Sequence, residues 1–207
     1  MKIALINGSP KNKGSVSETI LQAMCERLGD AHDYVTCSVA AFDKAQVLSS
    51  LQSCGAILFA FPLYVDGIPS RLLQFLDEIK DEILTFAPDA MVWAIANNGF
   101  YEGRQNALAL AMIQNFCHSS GLPWGQGIGV GAGGMAQAAP AGTGPMKNMG
   151  LALDALAENI CHSRCAENQF VLPNFPRFLY KAGGNYGWKA EARKNGLRIK
   201  NILKKQV

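Results

Sequence analysis

Small hydrogen-bond donors and glycines are concentrated near the start of the chain, directly after a short apolar run. Residues 8–17 contain three serines, two lysines and two glycines. Hydroxyl and ammonium groups donate to anionic oxygens, and glycine lets the backbone turn its N–H groups toward a ligand because it has no Cβ. This composition indicates an anion site of the kind that holds a phosphate group. An ordinary strand-to-helix connection is the alternative.

Two known phosphate-binding spacings are absent from residues 8–17, namely G-x-x-x-x-G-K-[ST] and G-x-G-x-x-G. Residues 129–134 fit the second pattern, and Asp154 follows at about the distance expected for its acidic residue. That pattern requires a helix immediately afterwards, whereas residues 136–144 predict more loop. We interpret the stretch as a flexible lid over a ligand, with an unremarkable long loop as the alternative.

The anion loop is predicted to lie between a buried strand and a helix. Residues 3–6 are apolar without polar alternation, which is typical of a strand buried on both faces of a parallel sheet. A helix is predicted over residues 16–28, with Ser15 as N-cap and Glu18 as its capping-box partner. A phosphate in the loop would face the N–H groups and the positive dipole end of that helix.

The strand, loop and helix pattern recurs along the chain, with strands predicted at residues 3–6, 34–39, 54–61, 89–96 and 124–130. This rhythm predicts an α/β fold with a doubly wound five-stranded parallel sheet and helices on both faces. Ligands of such sheets bind outside the carboxyl ends of the strands. Three loops are expected at that edge: residues 8–17, 62–69 and 97–103.

Length and composition limit the alternatives. The chain has 207 residues, of which 49% are hydrophobic, enough for one well-cored domain. Its longest apolar run, residues 56–65, is interrupted by Pro62 and is half as long as a membrane span. Because no signal-peptide pattern is present either, we expect a cytoplasmic protein without a membrane partner.

The cysteines and histidines do not form a recognisable catalytic or metal-binding pattern. Cys161 and Cys165 are spaced for one helix face, with His162 between them, but no second pair of ligands accompanies them. We therefore predict no metal site and assign no catalytic side chain. The six cysteines are scattered and expected to be reduced: Cys25, Cys37, Cys54, Cys117, Cys161 and Cys165.

The C-terminal end differs in composition from the rest of the chain. Residues 171–207 contain nine lysines and arginines but a single acidic residue, Glu191. Nothing else resembles a nucleic-acid module, so we expect no nucleic-acid partner. Several large apolar side chains in this stretch are expected to pack on the domain or on a second subunit. We predict one domain over residues 1–168 and a basic, aromatic extension over residues 169–207.

Three segments together resemble the flavodoxin-like NAD(P)H-dependent FMN reductases and quinone reductases. They are Gly8-Ser9-Pro10-Lys11 with Ser15-Val16-Ser17, residues 62–69 leading into a helix, and residues 97–103. The resemblance covers roughly residues 1–165 and implies a flavodoxin-like fold that binds FMN. It implies cofactor-binding roles at the phosphate for Ser9, Lys11, Ser15, Val16 and Ser17, along the isoalloxazine ring for Pro62, Leu63, Tyr64 and Val65, and at the pyrimidine edge for Asn97, Asn98, Gly99 and Phe100.

The same resemblance implies an oxidoreductase in which NAD(P)H reduces bound FMN. The electrons would then pass to a small-molecule acceptor such as a quinone, a flavin, or a nitro or azo compound. A one-electron carrier like flavodoxin is the alternative, although such carriers are typically acidic and this chain has a pI of about 8.5. A non-catalytic binding or regulatory protein of the same fold is a third hypothesis. Relatives of this shape are usually homodimers, and we expect the aromatic extension to contribute to the interface.

Overall fold

The computed structural model describes residues 1–11 and 13–198. The chain forms two compact units, of which the first is Met1–Pro173 and the second begins at Asn174. The first unit extends beyond the predicted boundary at residue 168, because residues immediately after that position add a short strand to the sheet. Lys200, Lys204 and Lys205 of the predicted basic extension lie outside the described residues.

A single parallel sheet forms the centre of the first unit, with the strand order β2-β1-β3-β4-β5-β6. The predicted doubly wound fold is confirmed, with six strands rather than five. The additional strand has only three residues, too few for a recognisable sequence pattern. The strands are β1 (Lys2–Asn7), β2 (Asp33–Ser38), β3 (Cys54–Pro62), β4 (Met91–Asn97), β5 (Trp124–Val130) and β6 (Gln169–Val171).

Helices cover both faces of this sheet. The core residues of α2, α3, α4 and α5 belong to one apolar cluster, and those of α1 and α6 belong to the other. In the first unit the helices are α1 (Val16–Leu28), α2 (Lys44–Leu51), α3 (Ser70–Ile79), α4 (Ile83–Phe86), α5 (Ala107–Ser119) and α6 (Lys147–Cys161).

Strand β3 shows why the central strands are apolar throughout. Ile57 and Phe59 pack into one cluster, whereas Leu58 and Ala60 pack into the other, and all four are fully buried. Successive side chains of a strand point to opposite faces, so a strand covered on both sides needs apolar residues at every position. The continuous apolar run of β3 therefore has the same cause that was expected for residues 3–6.

Short 3₁₀ turns precede two of the helices. Gly103–Asn106 precedes α5 and Gly144–Met146 precedes α6. At its other end α6 stops at Cys161, so Cys165 lies beyond the helix. The interpretation that both thiols share one helix face was therefore wrong. Within residues 1–11 and 13–198, no group of three or more histidine, cysteine or acidic side chains could hold a metal ion.

The glycine-rich segment after β5 is packed against neighbouring backbone. A Cβ at Gly129 would lie 2.7 Å from the Gly103 oxygen, and one at Gly131 would lie 2.2 Å from the Tyr101 oxygen. These glycines let the loop after β4 approach the end of β5 closely. A 3₁₀ turn, Gly133–Gln137, follows. The chain therefore lacks the long helix that a dinucleotide-binding turn requires at this point.

The second unit contains the helix α7 (Arg177–Lys194), which carries most of the basic residues of the extension. None of its residues is buried. Over the part of the chain that the structure describes, no helix combines the length and the apolar character needed to cross a bilayer.

Candidate functional site

The three loops singled out from the sequence lie at the carboxyl edge of the sheet. The strand order changes direction at β1, which has β2 on one side and β3 on the other. Chains leaving β1 and β3 therefore diverge and open a crevice between them. The third loop leaves β4, the neighbour of β3, where the Leu63 N–H donates to the Asn97 oxygen at 2.8 Å. The predicted site residues are thus brought to one edge.

The first loop ends in a capped helix. Ser15 has extended backbone angles, and its hydroxyl oxygen accepts from the Glu18 N–H at 3.0 Å. The Glu18 carboxylate accepts in turn from the Gly14 N–H at 2.7 Å. The predicted N-cap is confirmed, although the reciprocal bond ends at Gly14 and not at Ser15. Val16 and Ser17 occupy the first turn, where N–H groups have no intrahelical acceptor.

Three buried serine hydroxyls belong to this loop and the first helical turn. Ser9, Ser15 and Ser17 are only 2%, 3% and 1% exposed. Each hydroxyl oxygen accepts a hydrogen bond from the protein. The Lys11 N–H donates to Ser9 at 3.3 Å, the Asn7 carboxamide donates to Ser15 at 3.3 Å, and the Asn97 carboxamide donates to Ser17 at 3.2 Å. In the described part of the chain, no acceptor takes any of the three hydroxyl hydrogens. Each of the three hydroxyls therefore keeps the capacity to donate one hydrogen bond.

Asn7, which the sequence analysis did not select, orients two of these serines. Its carboxamide oxygen accepts from the Ser9 N–H at 3.0 Å, and its nitrogen donates to the Ser15 hydroxyl at 3.3 Å. The side chain is 9% exposed and lies at the last position of β1. An amide side chain at the end of an otherwise apolar run was the available signal, because such a position leads directly into the crevice.

Charges of both signs flank the anion loop. Lys11 is exposed, as are Lys13 and Gly14. The Glu18 carboxylate occupies the Gly14 N–H, so it places negative charge beside the donors. Lys11 and the amino terminus of α1 therefore attract an anion to the loop, whereas the Glu18 carboxylate repels it.

The second loop contains a strained four-residue turn. Tyr64 and Gly67 exchange two backbone hydrogen bonds of 3.0 Å. Between them Val65 and Asp66 have φ values of +49° and +60°, the combination of a type I′ turn. A β-branched residue strongly disfavours positive φ, and Val65 is nevertheless fully exposed. Tyr64 is 44% exposed, so this turn presents an apolar and an aromatic side chain at the surface of the protein.

The third loop is held by its own asparagines. The Asn98 carboxamide accepts from the Phe100 N–H at 2.9 Å and donates to the Glu102 oxygen at 3.1 Å. The Asn98 N–H donates to the Val130 oxygen at 3.1 Å. This bond to β5 occupies the backbone N–H of Asn98. Phe100 is the exposed apolar group of the loop, at 54%.

Asn97 makes hydrogen bonds within the protein. Its carboxamide nitrogen donates to the Ser17 hydroxyl and, at 2.9 Å, to the Phe61 oxygen. Both N–H groups of this buried amide are therefore directed into the protein rather than toward the edge of a ligand ring. Asn97 connects the first turn of α1 with β3 and β4.

A sequence model of one protein family, described as a flavodoxin-like fold, matches residues 1–113. The chain belongs to this family. None of the curated proteins compared with it gives a significant match.

Solved structures with the same fold are distant in sequence. An NADH:FMN oxidoreductase (EMOB) in its apo form has a TM-score of 0.62 and 16% identity, over 80% of this chain and 91% of that one. The flavodoxin of Streptococcus pneumonia TIGR4 has a TM-score of 0.57 and 15% identity, over 79% and 99% of the two chains. An azoreductase from Bacillus anthracis str. Sterne has a TM-score of 0.52 and 13% identity, over 79% and 100%.

In this flavodoxin-like chain, the segment after β5 contacts the anion loop. The Gln137 carboxamide donates to the Gly14 oxygen at 2.9 Å. Gly14, with φ of +67°, is thus fixed by Gln137 at its carbonyl and by Glu18 at its N–H. The predicted lid is anchored to the loop, and Gln137 is a second residue that the sequence analysis missed. No sequence pattern marks an isolated glutamine of this kind.

Proposed function

We propose that this flavodoxin-like protein is an FMN-dependent oxidoreductase that uses NAD(P)H to reduce a small acceptor. The observation that carries the proposal is the set of three buried serine hydroxyls in the anion loop and the first turn of α1, whose hydrogens no acceptor takes in the described part of the chain. Relatives of the same fold include proteins described as an NADH:FMN oxidoreductase and an azoreductase.

The donor set suits a phosphate monoester, which carries roughly 1.5 to 2 negative charges at neutral pH and three acceptor oxygens. Ser9, Ser15 and Ser17 would donate through their hydroxyls. The first-turn N–H groups of Val16 and Ser17 would add backbone donors at the positive end of the helix dipole. Lys11 would contribute a positive charge from the exposed side of the loop.

The other two loops offer surfaces for a flat ring. Pro62 ends β3 and Leu63 follows it, both as half-buried side chains. Tyr64, Val65 and Phe100 present exposed apolar groups. Gly99, beside Phe100, would let the backbone approach the ring closely. FMN, when bound, accepts a hydride and stores two electrons. The chain's own residues would therefore bind the cofactor, orient it and exclude water from one side of it.

Net charge favours this proposal over a one-electron carrier. The chain has a formal net charge of +3 and a pI of about 8.5, whereas the alternative predicts an acidic surface that meets basic partners. The acceptor would be a small molecule such as a quinone, a flavin, or a nitro or azo compound.

Anaerobic titration of the purified, FMN-reconstituted protein with NADH and with NADPH tests the proposal. We expect flavin absorbance that bleaches with at least one nucleotide and returns when an acceptor is added. Bleaching with dithionite alone would support the carrier instead. A protein that does not bind FMN at all would overturn the assignment and leave only the fold.

A matched pair of variants connects the result to the anion loop. Ser17→Ala removes one hydroxyl donor, and hydrogen bonds to charged groups contribute about 1.5 to 3 kcal/mol, so FMN affinity should fall about tenfold to a hundredfold. Ser49→Ala, at an exposed position of α2, is the control and should bind FMN like the unaltered protein. Equal affinities in the two variants would exclude Ser17 as a ligand.

A further inference from the structure

A thiol and an imidazole lie together at the edge of the sheet opposite the candidate site. Cys161 is the last residue of α6, and His32 immediately precedes β2. The Cys161 Sγ and His32 Nε2 atoms are 3.5 Å apart, although the residues are 129 positions apart in the sequence. Because all strands are parallel, the start of β2 marks the amino edge, far from the loops that follow β1, β3 and β4.

Burial separates the six thiols into two groups. Burial raises the pKa of Cys37 to about 11 and that of Cys117 to about 12. Burial also raises the pKa values of Cys25 and Cys54. The nearby Glu26 carboxylate raises the pKa of Cys25 further. Since the thiolate is the reactive form, these four thiols are poor nucleophiles at neutral pH. The exposed thiols are Cys161 and Cys165.

The imidazole distinguishes the two exposed thiols. His32 Nε2 is within hydrogen-bonding distance of Cys161, whereas in the described part of the chain Cys165 has no such partner. A neighbouring imidazole that takes the thiol proton leaves a thiolate stabilised by imidazolium, which is how cysteine nucleophiles are activated. The structure therefore offers a comparison between two exposed cysteines of one protein, four residues apart in the sequence.

The end of α6 fixes the position of Cys161. Ser163 has φ of +50°, its N–H donates to the Ile160 oxygen at 3.1 Å, and the Arg164 N–H donates to the Asn159 oxygen at 2.8 Å. These two bonds form a Schellman motif that closes the helix. An ion pair of 3.2 Å joins Arg164 to Glu158, so each of these nearby charges is compensated by the other.

His32 has two further contacts, with the Tyr34 ring and with the Met1 nitrogen. The Tyr34 and His32 rings are in edge contact, with centroids 6.5 Å apart, and the Tyr34 hydroxyl donates to the Gly29 oxygen at 2.6 Å. Tyr34 is thereby engaged and does not compete for the Cys161 sulfur. His32 Nδ1 lies 3.5 Å from the Met1 nitrogen. Nε2 can accept the thiol proton in the tautomer that carries the imidazole hydrogen on Nδ1, where Nδ1 would donate to an uncharged Met1 amine. Experiments should use protein without an amino-terminal tag, so that this contact is kept.

We infer that Cys161, with His32 as its base, is a modification site for low-molecular-weight disulfides. His32 Nε2 takes the thiol proton, and the Cys161 sulfur attacks one sulfur of the disulfide. A new S–S bond joins Cys161 to half of the reagent, while the original S–S bond breaks and its electron pair leaves with the other half as a thiolate. That thiolate takes the proton from imidazolium. Cys161 is oxidised to a mixed disulfide and half of the reagent is reduced to a thiol.

The site is independent of the proposed function, because it lies at the opposite edge of the sheet. Modification of Cys161 should therefore leave FMN binding and turnover unchanged within about twofold. A reducing agent should remove the modification, since thiol–disulfide exchange is reversible.

Reaction of the reduced, native full chain with excess oxidised glutathione, followed by peptide mass mapping over time, tests the inference. We expect Cys161 to react at least about tenfold faster than Cys165 at neutral pH. Cys161→Ser should abolish the fast adduct, and Cys165→Ser should retain it. Equal rates at the two cysteines, or a faster Cys165, would overturn the inference.

His32 is tested in the same molecule. His32→Gln should slow Cys161 to about the rate of Cys165, which serves as internal reference and should not change. An unchanged Cys161 rate in His32→Gln would exclude the imidazole as base. If that variant unfolds, the buried thiols will also become modified. His32→Asn then replaces His32→Gln, after circular dichroism has shown that it is folded. We expect the same slower reaction at Cys161, and an unchanged rate would again exclude the imidazole as base.

Discussion

The Asn97 carboxamide donates to the Ser17 hydroxyl across 3.2 Å, and through this bond the end of β4 fixes the first turn of α1. The second N–H of the same group donates to the Phe61 oxygen at 2.9 Å. Asn97 is 4% exposed and Ser17 is 1% exposed, so neither bond is readily replaced by water. The anion loop is consequently positioned by a residue 80 positions further along the chain.

Replacement of Asn97 by alanine should weaken both folding and FMN binding. The variant leaves a buried hydroxyl and a buried carbonyl without their donor, which costs about 1 to 3 kcal/mol of unfolding free energy. FMN affinity should fall with it, because Ser17 loses its orientation. Urea denaturation and flavin titration measure the two effects. Asn115→Ala on the exposed face of α5 is the control, and equal stability of the two variants would contradict the prediction.

Glu18 should affect stability and anion affinity in opposite directions. Glu18→Gln keeps an oxygen that can accept from the Gly14 N–H but removes a negative charge beside the loop. We expect FMN to bind about three- to tenfold more tightly, and the helix to lose about 0.3 to 1 kcal/mol of favourable charge–dipole interaction. FMN titration of the two proteins at low and at high salt checks the electrostatic origin of the effect. The gain in FMN affinity should become smaller as the ionic strength rises. Weaker binding in the variant would show that Glu18 supports the ligand.

The turn at Val65 should become more stable when its backbone strain is relieved. Asparagine tolerates positive φ better than a β-branched residue, so Val65→Asn should raise the free energy of unfolding by about 0.5 to 1 kcal/mol. FMN affinity should fall if the exposed valine contacts the ring. Val65→Thr keeps the branched Cβ and is the control, with no expected gain. A loss of stability in Val65→Asn, measured by thermal unfolding, would rule out strain at this position.

Buried thiols should make the fold less stable at alkaline pH. The pKa of Cys117 is raised from 9.0 to about 12 by burial, so the folded state retains a proton that the unfolded state releases above pH 9. The contribution is fully present below pH 9 and is lost between pH 9 and about 12, with a slope of about 1 kcal/mol per pH unit. The contribution of Cys117 is measured by denaturing the unaltered protein and Cys117→Ala at pH 8 and at pH 10.5 and comparing their free energies of unfolding.

The unaltered protein should lose more stability over this interval than Cys117→Ala does. Cys165→Ala, in which an exposed thiol is removed, controls for the general effect of alkaline pH. Parallel losses in all three proteins would mean that Cys117 does not contribute.

The aromatic side chains of α7 should hold two copies of the chain together. Phe178, Tyr186 and Trp188 are 71%, 73% and 76% exposed, and large apolar groups of this kind mark association surfaces. Phe178→Ser combined with Trp188→Ser should shift a dimer to monomer in sedimentation velocity. Lys181→Ser combined with Lys189→Ser changes the same helix without removing apolar surface and should remain dimeric. A dimer that survives the aromatic changes would place the interface elsewhere.

Local sequence signals were reliable where neighbouring residues alone decide the structure. The bounds of α1, predicted at residues 16–28, agree with the structure, because the Ser15 cap and the apolar periodicity lie within one short segment. Strand β5 was likewise predicted at its observed bounds, Trp124–Val130. The three-residue strand β6 was missed, since its place depends on pairing with β5 rather than on its own pattern.

The sequence by itself determined the alternation of strands and helices, the buried character of β1, β3 and β4, and the donor-rich composition of residues 8–17. These follow from periodicity and local chemistry, which are written in consecutive residues. Only the tertiary structure decided that Asn7 and Asn97 hold the serines, that Gln137 fixes Gly14, and that Cys161 meets His32. Such contacts join residues far apart in the chain, and a hydrogen bond between them exists only once the sheet has set the distance.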